Sequence, residues 1–194
     1  MRDARPWTHA ALFGTLWATA EITLGTLLAA ARVPMFGTLM ASLGVLCMVT
    51  ARRLQPAIGT TVVMGLVVTF LKVFFAGGLA LGAVVGILAQ AILLELAFTA
   101  SRSRLAGAVV GGALALATAP LQLFLFFLLF AGGHGVAALD EALRGFAQML
   151  GLAGPATLAL VAYLVGFSMF LGAAVGALSW RLAGRVRSRV RGRV

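Results

Sequence analysis

Glu21, Lys72, Gln90 and Glu95 stand inside long apolar runs. A charged group at the centre of a membrane-crossing helix costs on the order of 2.5 to 3.5 kcal/mol, so it is kept where it meets a polar neighbour, a cavity or a solute. The chemistry open to such residues is ion pairing, proton exchange or recognition of a polar ligand. Trp17, one turn before Glu21, adds an aromatic ring with a single N–H donor.

Glu21 needs an element that spans. Thr8 to Ala31 is about 24 residues, roughly 36 Å as a helix, enough to cross a hydrocarbon core of about 30 Å with some tilt. At about 100° per residue, Ala10, Gly14, Trp17, Ala18, Glu21 and Gly25 share one broad stripe, so that face meets protein and not lipid. Two readings of the stripe stay open. One is close helix packing with Glu21 paired or protonated, and the other is a ligand or ion site.

The whole chain fits a membrane setting. Its 194 residues are 62% hydrophobic and only 10% charged, with a mean hydropathy of +1.08, which excludes an ordinary soluble domain. Continuous apolar runs point to helices and not to barrel strands, which alternate over short segments. The fold class expected is all-α: an integral membrane bundle of six transmembrane helices. Ala29 to Ala31 faintly resembles a signal-peptidase site, but the run before it is too long and contains Glu21, so a retained helix is expected.

After the first span, Arg32-Val33-Pro34 ends the helix, and a second run covers about Phe36 to Ala51, short for a span. Arg52, Arg53 and Pro56 close it. A third run covers Ile58 to Ala76 and turns at Gly77 and Gly78. The fourth, Leu79 to Ala100, closes at Ser101 to Arg104, and the fifth, Leu105 to Ala131, contains Pro120, where a kink is expected. In the connection that follows, Val136, Leu139, Leu143, Phe146 and Leu150 recur at helical spacing opposite Asp140, Glu141, Arg144 and Gln148, an amphipathic interfacial helix. The sixth run, about Pro155 to Trp180, leads into a tail with Arg181, Arg185, Arg187, Arg189, Arg191 and Arg193. The division expected is one transmembrane domain, residues 1–180, and a basic tail, residues 181–194.

Six spans put twelve of the fifteen basic residues on the side of the termini and leave Arg32, Lys72 and Arg144 on the other. By the positive-inside rule both termini are cytoplasmic. Depths then compare. Glu21 lies about 10 residues below the outer end of its helix and Gln90 about 11 below the outer start of its own, so they share a layer. Lys72 is about 4 residues from the outer end of the third helix, and its stem reaches either down to Glu21 or outward to the headgroups. Glu21, Lys72, Gln90 and Trp17 would line an outward-open pocket suited to a small zwitterionic or heteroaromatic solute. Glu95 lies near the cytoplasmic interface, within reach of Arg102 or Arg104, as an ion pair or coupling element.

Other chemistry is not signalled. His9 and His134 are far apart and Cys47 is alone, so no metal-ligand spacing exists and no intramolecular disulfide is possible. No metalloprotease, nucleophile-elbow or phosphate-binding loop motif occurs, no cofactor is implied, and the chain is not expected to be an enzyme. Glycine pairs spaced by four, Gly82/Gly86, Gly107/Gly111 and Gly172/Gly176, signal helix contacts. The net charge of +10 is better matched by anionic lipid at the arginine tail than by nucleic acid.

Three stretches carry a resemblance: Trp17-Ala18-Thr19-Ala20-Glu21, Arg32-Val33-Pro34 leading into Gly37, and Gly86-Ile87 running to Leu94-Glu95-Leu96. With the six-run layout they resemble the substrate-binding S component of energy-coupling factor transporters, or related uncharacterised bacterial membrane proteins. The resemblance implies a subunit that captures a vitamin-like micronutrient and docks, through small residues of its first helix, on a transmembrane coupling protein driven by ABC-type ATPases. The corresponding positions are Ala10, Gly14 and Ala18, with glycine at the centre, and Glu21 shares their stripe. The alternative is a non-catalytic structural subunit of a larger membrane complex.

Overall fold

The computed structural model describes residues 5–191 except 34, 77–80, 103, 131–136, 138–139, 142, 146–147 and 149–156. Its elements are helices throughout: α1 (Arg5–Ala30), α2 (Phe36–Leu54), α3 (Thr60–Ala76), α4 (Leu81–Ala100), α5 (Leu105–Phe130) and α6 (Thr157–Arg191). Among the described residues, four stretches are long and apolar enough to cross a membrane: Trp7–Ala30, Gly82–Ala100, Leu105–Gln122 and Ala159–Arg189. Thr60–Phe75 in α3 is apolar but shorter. Outward faces carry Leu12, Leu16, Phe70, Phe74, Val85 and Phe170, the side chains a lipid-facing surface requires.

The stops are local. The backbone of Arg32 is left-handed at φ 51°, and the N–H groups of Arg32 and Val33 return to the carbonyls of Ala29 and Leu28 at 3.0 Å. This is a Schellman closure with arginine where glycine is common, and its cation suits the negative end of the helix dipole. Arg102 ends α4 in the same conformation, at φ 52°. Gly59, at φ 88°, turns the chain into α3.

α2, whose run is the shortest at the level of sequence, is the centre of the bundle. It packs against each of the other five helices, while α1, α3, α4, α5 and α6 follow one another around it. Its buried face runs from Thr38 through Gly44, Val45, Met48 and Val49 to Arg52. A helix enclosed by protein does not need a lipid-facing apolar surface, which explains its modest hydropathy and the polar residues it carries. Trp17 of α1 seats its indole on Gly44, where a Cβ would stand 2.6 Å from ring atom Cζ2. Met64, Val68, Leu94, Phe98 and Leu116 complete the core.

α5 and α6 approach most closely. Gly112 faces Gly172, and Gly176 faces the backbone of Ala108, so closely that a Cβ at any of these glycines would meet backbone. The Gly172/Gly176 spacing thus marks a helix contact, in which small residues bring backbones together where lipid offers no hydrophobic drive. α6 continues without a break past Trp180 to Arg191, so Arg181, Arg185, Arg187, Arg189 and Arg191 are helical. At 35 residues it is roughly 52 Å long, which carries its basic end beyond a hydrocarbon layer of about 30 Å.

Most of the amphipathic segment expected between α5 and α6, and the glycine loop with His134, lies outside the described residues. The described positions 137, 140, 141, 143–145 and 148 are helical. Leu143 packs with Leu160 and Phe124, and Arg144 pairs with Asp140 at 2.5 Å.

Candidate functional site

Glu21 and Lys72 meet between α1 and α3. Lys72 Nζ donates to Glu21 Oε1 at 2.6 Å, and the two side chains are 16% and 11% exposed. The lysine stem therefore turns inward along the bundle and does not extend to the headgroups. Trp17 lies one turn before Glu21 on α1 and is buried, and its Nε1 has no hydrogen-bond partner. Thr69, one turn before Lys72 on α3, has a buried Oγ1 without a partner as well. A neutralised pair flanked along each helix by an unsatisfied polar atom is an arrangement in which a polar guest gains hydrogen bonds at little desolvation cost.

Gln90 does not join them. It is 3% exposed, and its amide Nε2 donates to the carbonyl of Ala41 on α2 at 2.6 Å. Its role is to bridge α4 to the central helix. The shared depth with Glu21 was legible from residue counts, but depth says nothing of which helix lies between.

The small-residue stripe is corrected in its target. Ala10 and Ala18 are fully buried, and a Cβ at Gly14 would stand 3.2 Å from Val67 Cβ and 3.3 Å from Met64 Cα. Gly14 therefore seats α1 against α3 of the same chain, and Ala10 and Ala18 on the same stripe are covered within the bundle and not open to a partner. This also removes the competition along the stripe, since Glu21 and Gly14 both face α3.

Glu95 anchors a second polar cluster. Its carboxylate accepts the backbone N–H of Gly59 at 2.9 Å, the N–H of Thr61 at 3.1 Å and the Thr61 hydroxyl at 2.6 Å. Arg52 of α2 stands 3.2 Å away and is 2% exposed. The acid thus caps the start of α3 from α4, placing negative charge at a helix N-terminus. Its ion-pair partner is Arg52, whereas Arg102 is exposed in the turn after α4. The acidic cap was missed because the first turn of α3 has no acid of its own. An orphan N-terminus beside an arginine was the signal available.

From Arg52 a stack leads outward. Its guanidinium lies 5.9 Å from the Phe98 ring, Phe98 lies 6.1 Å from Trp180, and the Arg53 guanidinium sits 4.2 Å over the Trp180 ring. Arg53 Nη1 also donates to the Trp180 carbonyl. Beyond this stack is a cleft lined by Arg53, Trp180, Arg181, Gly184, Arg185 and Ser188. A smaller one is lined by Ala100, Ser101, Arg102, Arg104 and Ala106. Among the described residues no group of three or more histidine, cysteine, aspartate or glutamate side chains comes together.

The fold and its polar groups define an all-helical, multi-pass type of membrane protein. No protein-family model matches the sequence, and no curated protein or solved structure matches it.

Proposed function

We propose that this chain is the solute-binding subunit of a micronutrient uptake transporter in the bacterial cytoplasmic membrane. On this reading it spans six times with both termini cytoplasmic, and separate ABC-type ATPases and a transmembrane coupling protein supply the energy. The observation that carries the reading is the Glu21–Lys72 pair, largely buried between α1 and α3 of an apolar bundle. Ionisable groups at membrane depth are costly, and they pair with one another or mark solute and ion paths. The site then consists of Glu21, Lys72 and Trp17, with Gln90 holding α4 to α2 behind it. The coupling protein meets a surface other than Ala10, Gly14 and Ala18.

The second reading is a structural subunit of a larger membrane complex. It is favoured by the completeness of the pair, since Glu21 and Lys72 already neutralise one another and need no guest. A charge swap separates the two: Glu21→Lys with Lys72→Glu preserves the pair but inverts the field a bound solute meets. Solute uptake abolished in a folded swap variant supports the first reading, and normal function of the swap supports the second.

A further inference from the structure

The basic cleft between the end of α2 and the projecting part of α6 has a design that general attraction to an anionic surface does not need. Arg53, Arg181 and Arg185 line it together with Ser188, whose hydroxyl donates to the Arg185 carbonyl at 2.9 Å, and among the described residues no carboxylate does. Among the described residues, the acids that form ion pairs do so elsewhere: Glu21 with Lys72, Glu95 with Arg52 and Asp140 with Arg144.

Arg53 is also fixed in place. Its guanidinium lies over the Trp180 ring, donates to the Trp180 carbonyl, and rests on Gly184, where a Cβ would collide with it. Arg187 closes in behind, donating to the Arg53 carbonyl at 3.3 Å. Holding like charges together costs energy unless an anion completes the cluster. A planar, preorganised guanidinium fork matches the oxygens of a phosphate group.

We propose that this cleft is a phosphate-binding site, formed by Arg53, Arg181, Arg185 and Ser188, that holds the headgroup of one anionic phospholipid. Trp180 sits where an interfacial aromatic belongs, and α6 carries the arginines just past the hydrocarbon, which places the phosphate at headgroup depth. The inference rests on the membrane placement of the bundle and not on the transport reading.

The test keeps the net charge constant. The full-length protein is placed in bilayer discs of phosphatidylcholine and phosphatidylglycerol, and the phosphatidylglycerol retained after transfer to detergent is counted by native mass spectrometry. Wild type is expected to keep one molecule. Arg181→Lys with Arg185→Lys keeps every charge but replaces the two guanidiniums that join Arg53 at the cleft by point charges, and retention should fall about tenfold, the loss of one charge-assisted hydrogen bond. Gly184→Ala, which displaces Arg53, should act in the same direction. Retention unchanged in both variants would overturn the proposal in favour of diffuse attraction. An excess of inorganic phosphate distinguishes the sources. Failure to displace the lipid supports a headgroup site, whereas displacement with the same dependence on Arg181 and Arg185 supports the phosphate chemistry but assigns the site to a soluble anion.

Discussion

Glu95 and Arg52 form an ion pair inside the bundle, and the same carboxylate closes the first turn of α3. Three helices therefore meet in one acid: α4 supplies it, α2 neutralises it, and α3 is capped by it. Glu95→Gln leaves Arg52 buried without a counter-charge, and breaking such a pair from one side costs about 3–5 kcal/mol. Thermal unfolding in detergent should show a large drop in midpoint, and the double variant Glu95→Gln with Arg52→Met should recover part of it. A double variant less stable than Glu95→Gln would contradict the pairing.

The α5–α6 contact makes a sharper prediction because it contains its own control. A Cβ at Gly176 would stand 2.8 Å from the Ala108 carbonyl carbon, while one at Gly166, on the same helix, meets nothing within 4 Å. Gly176→Ala should destabilise by about 1–3 kcal/mol through overpacking, and Gly166→Ala should leave the unfolding midpoint in place. Equal effects would mean that α5 and α6 do not meet at this register.

Gly14→Leu tests where α1 packs. With Met64 and Val67 already in contact range of a Cβ, the added bulk must push α1 from α3 and loosen the bundle itself. The expected result is lower thermal stability of the isolated subunit. A variant of wild-type stability that fails only to assemble with other proteins would return the stripe to a docking role.

These comparisons show which parts of the molecule were legible in its sequence. Apolar runs bounded by arginine, glycine and proline located the helices to within a few residues, because desolvation of backbone and charge acts locally along the chain. A rise of 1.5 Å per residue likewise brought Glu21 and Lys72 within reach of each other. Neighbour relations were not legible. Nothing in hydropathy says that α2 occupies the centre, so Glu95 was matched by depth to Arg102 or Arg104 when Arg52 lay at the same level on a nearer helix. For the same reason Gln90 looked available to a solute although the Ala41 carbonyl already accepts its amide. The arginine run read as a tail since basic composition marks a membrane boundary but does not end a helix, and α6 continues to Arg191.

The Glu21–Lys72 pair predicts a dissociation between folding and binding. Glu21→Gln removes the counter-charge but leaves Lys72 a hydrogen-bond acceptor, and with 16% exposure the lysine retains some access to polar surroundings. The variant should purify as a folded protein of reduced stability. Its capacity to retain a small polar solute should be lost, as measured by mass spectrometry of the extracted protein. Loss of folding together with unchanged solute content in the remaining folded fraction would remove Glu21 from the site.

The central claim is most directly tested by purifying the tagged protein from native membranes in mild detergent and identifying both the co-eluting proteins and the extracted small molecules. The account predicts a pair of ATPases with a coupling membrane protein, and a micronutrient-like solute that is present in wild type and absent from Glu21→Gln. Recovery of an unrelated enzyme complex, with no small molecule in either sample, would contradict it and make Glu21 and Lys72 a helix-pairing device.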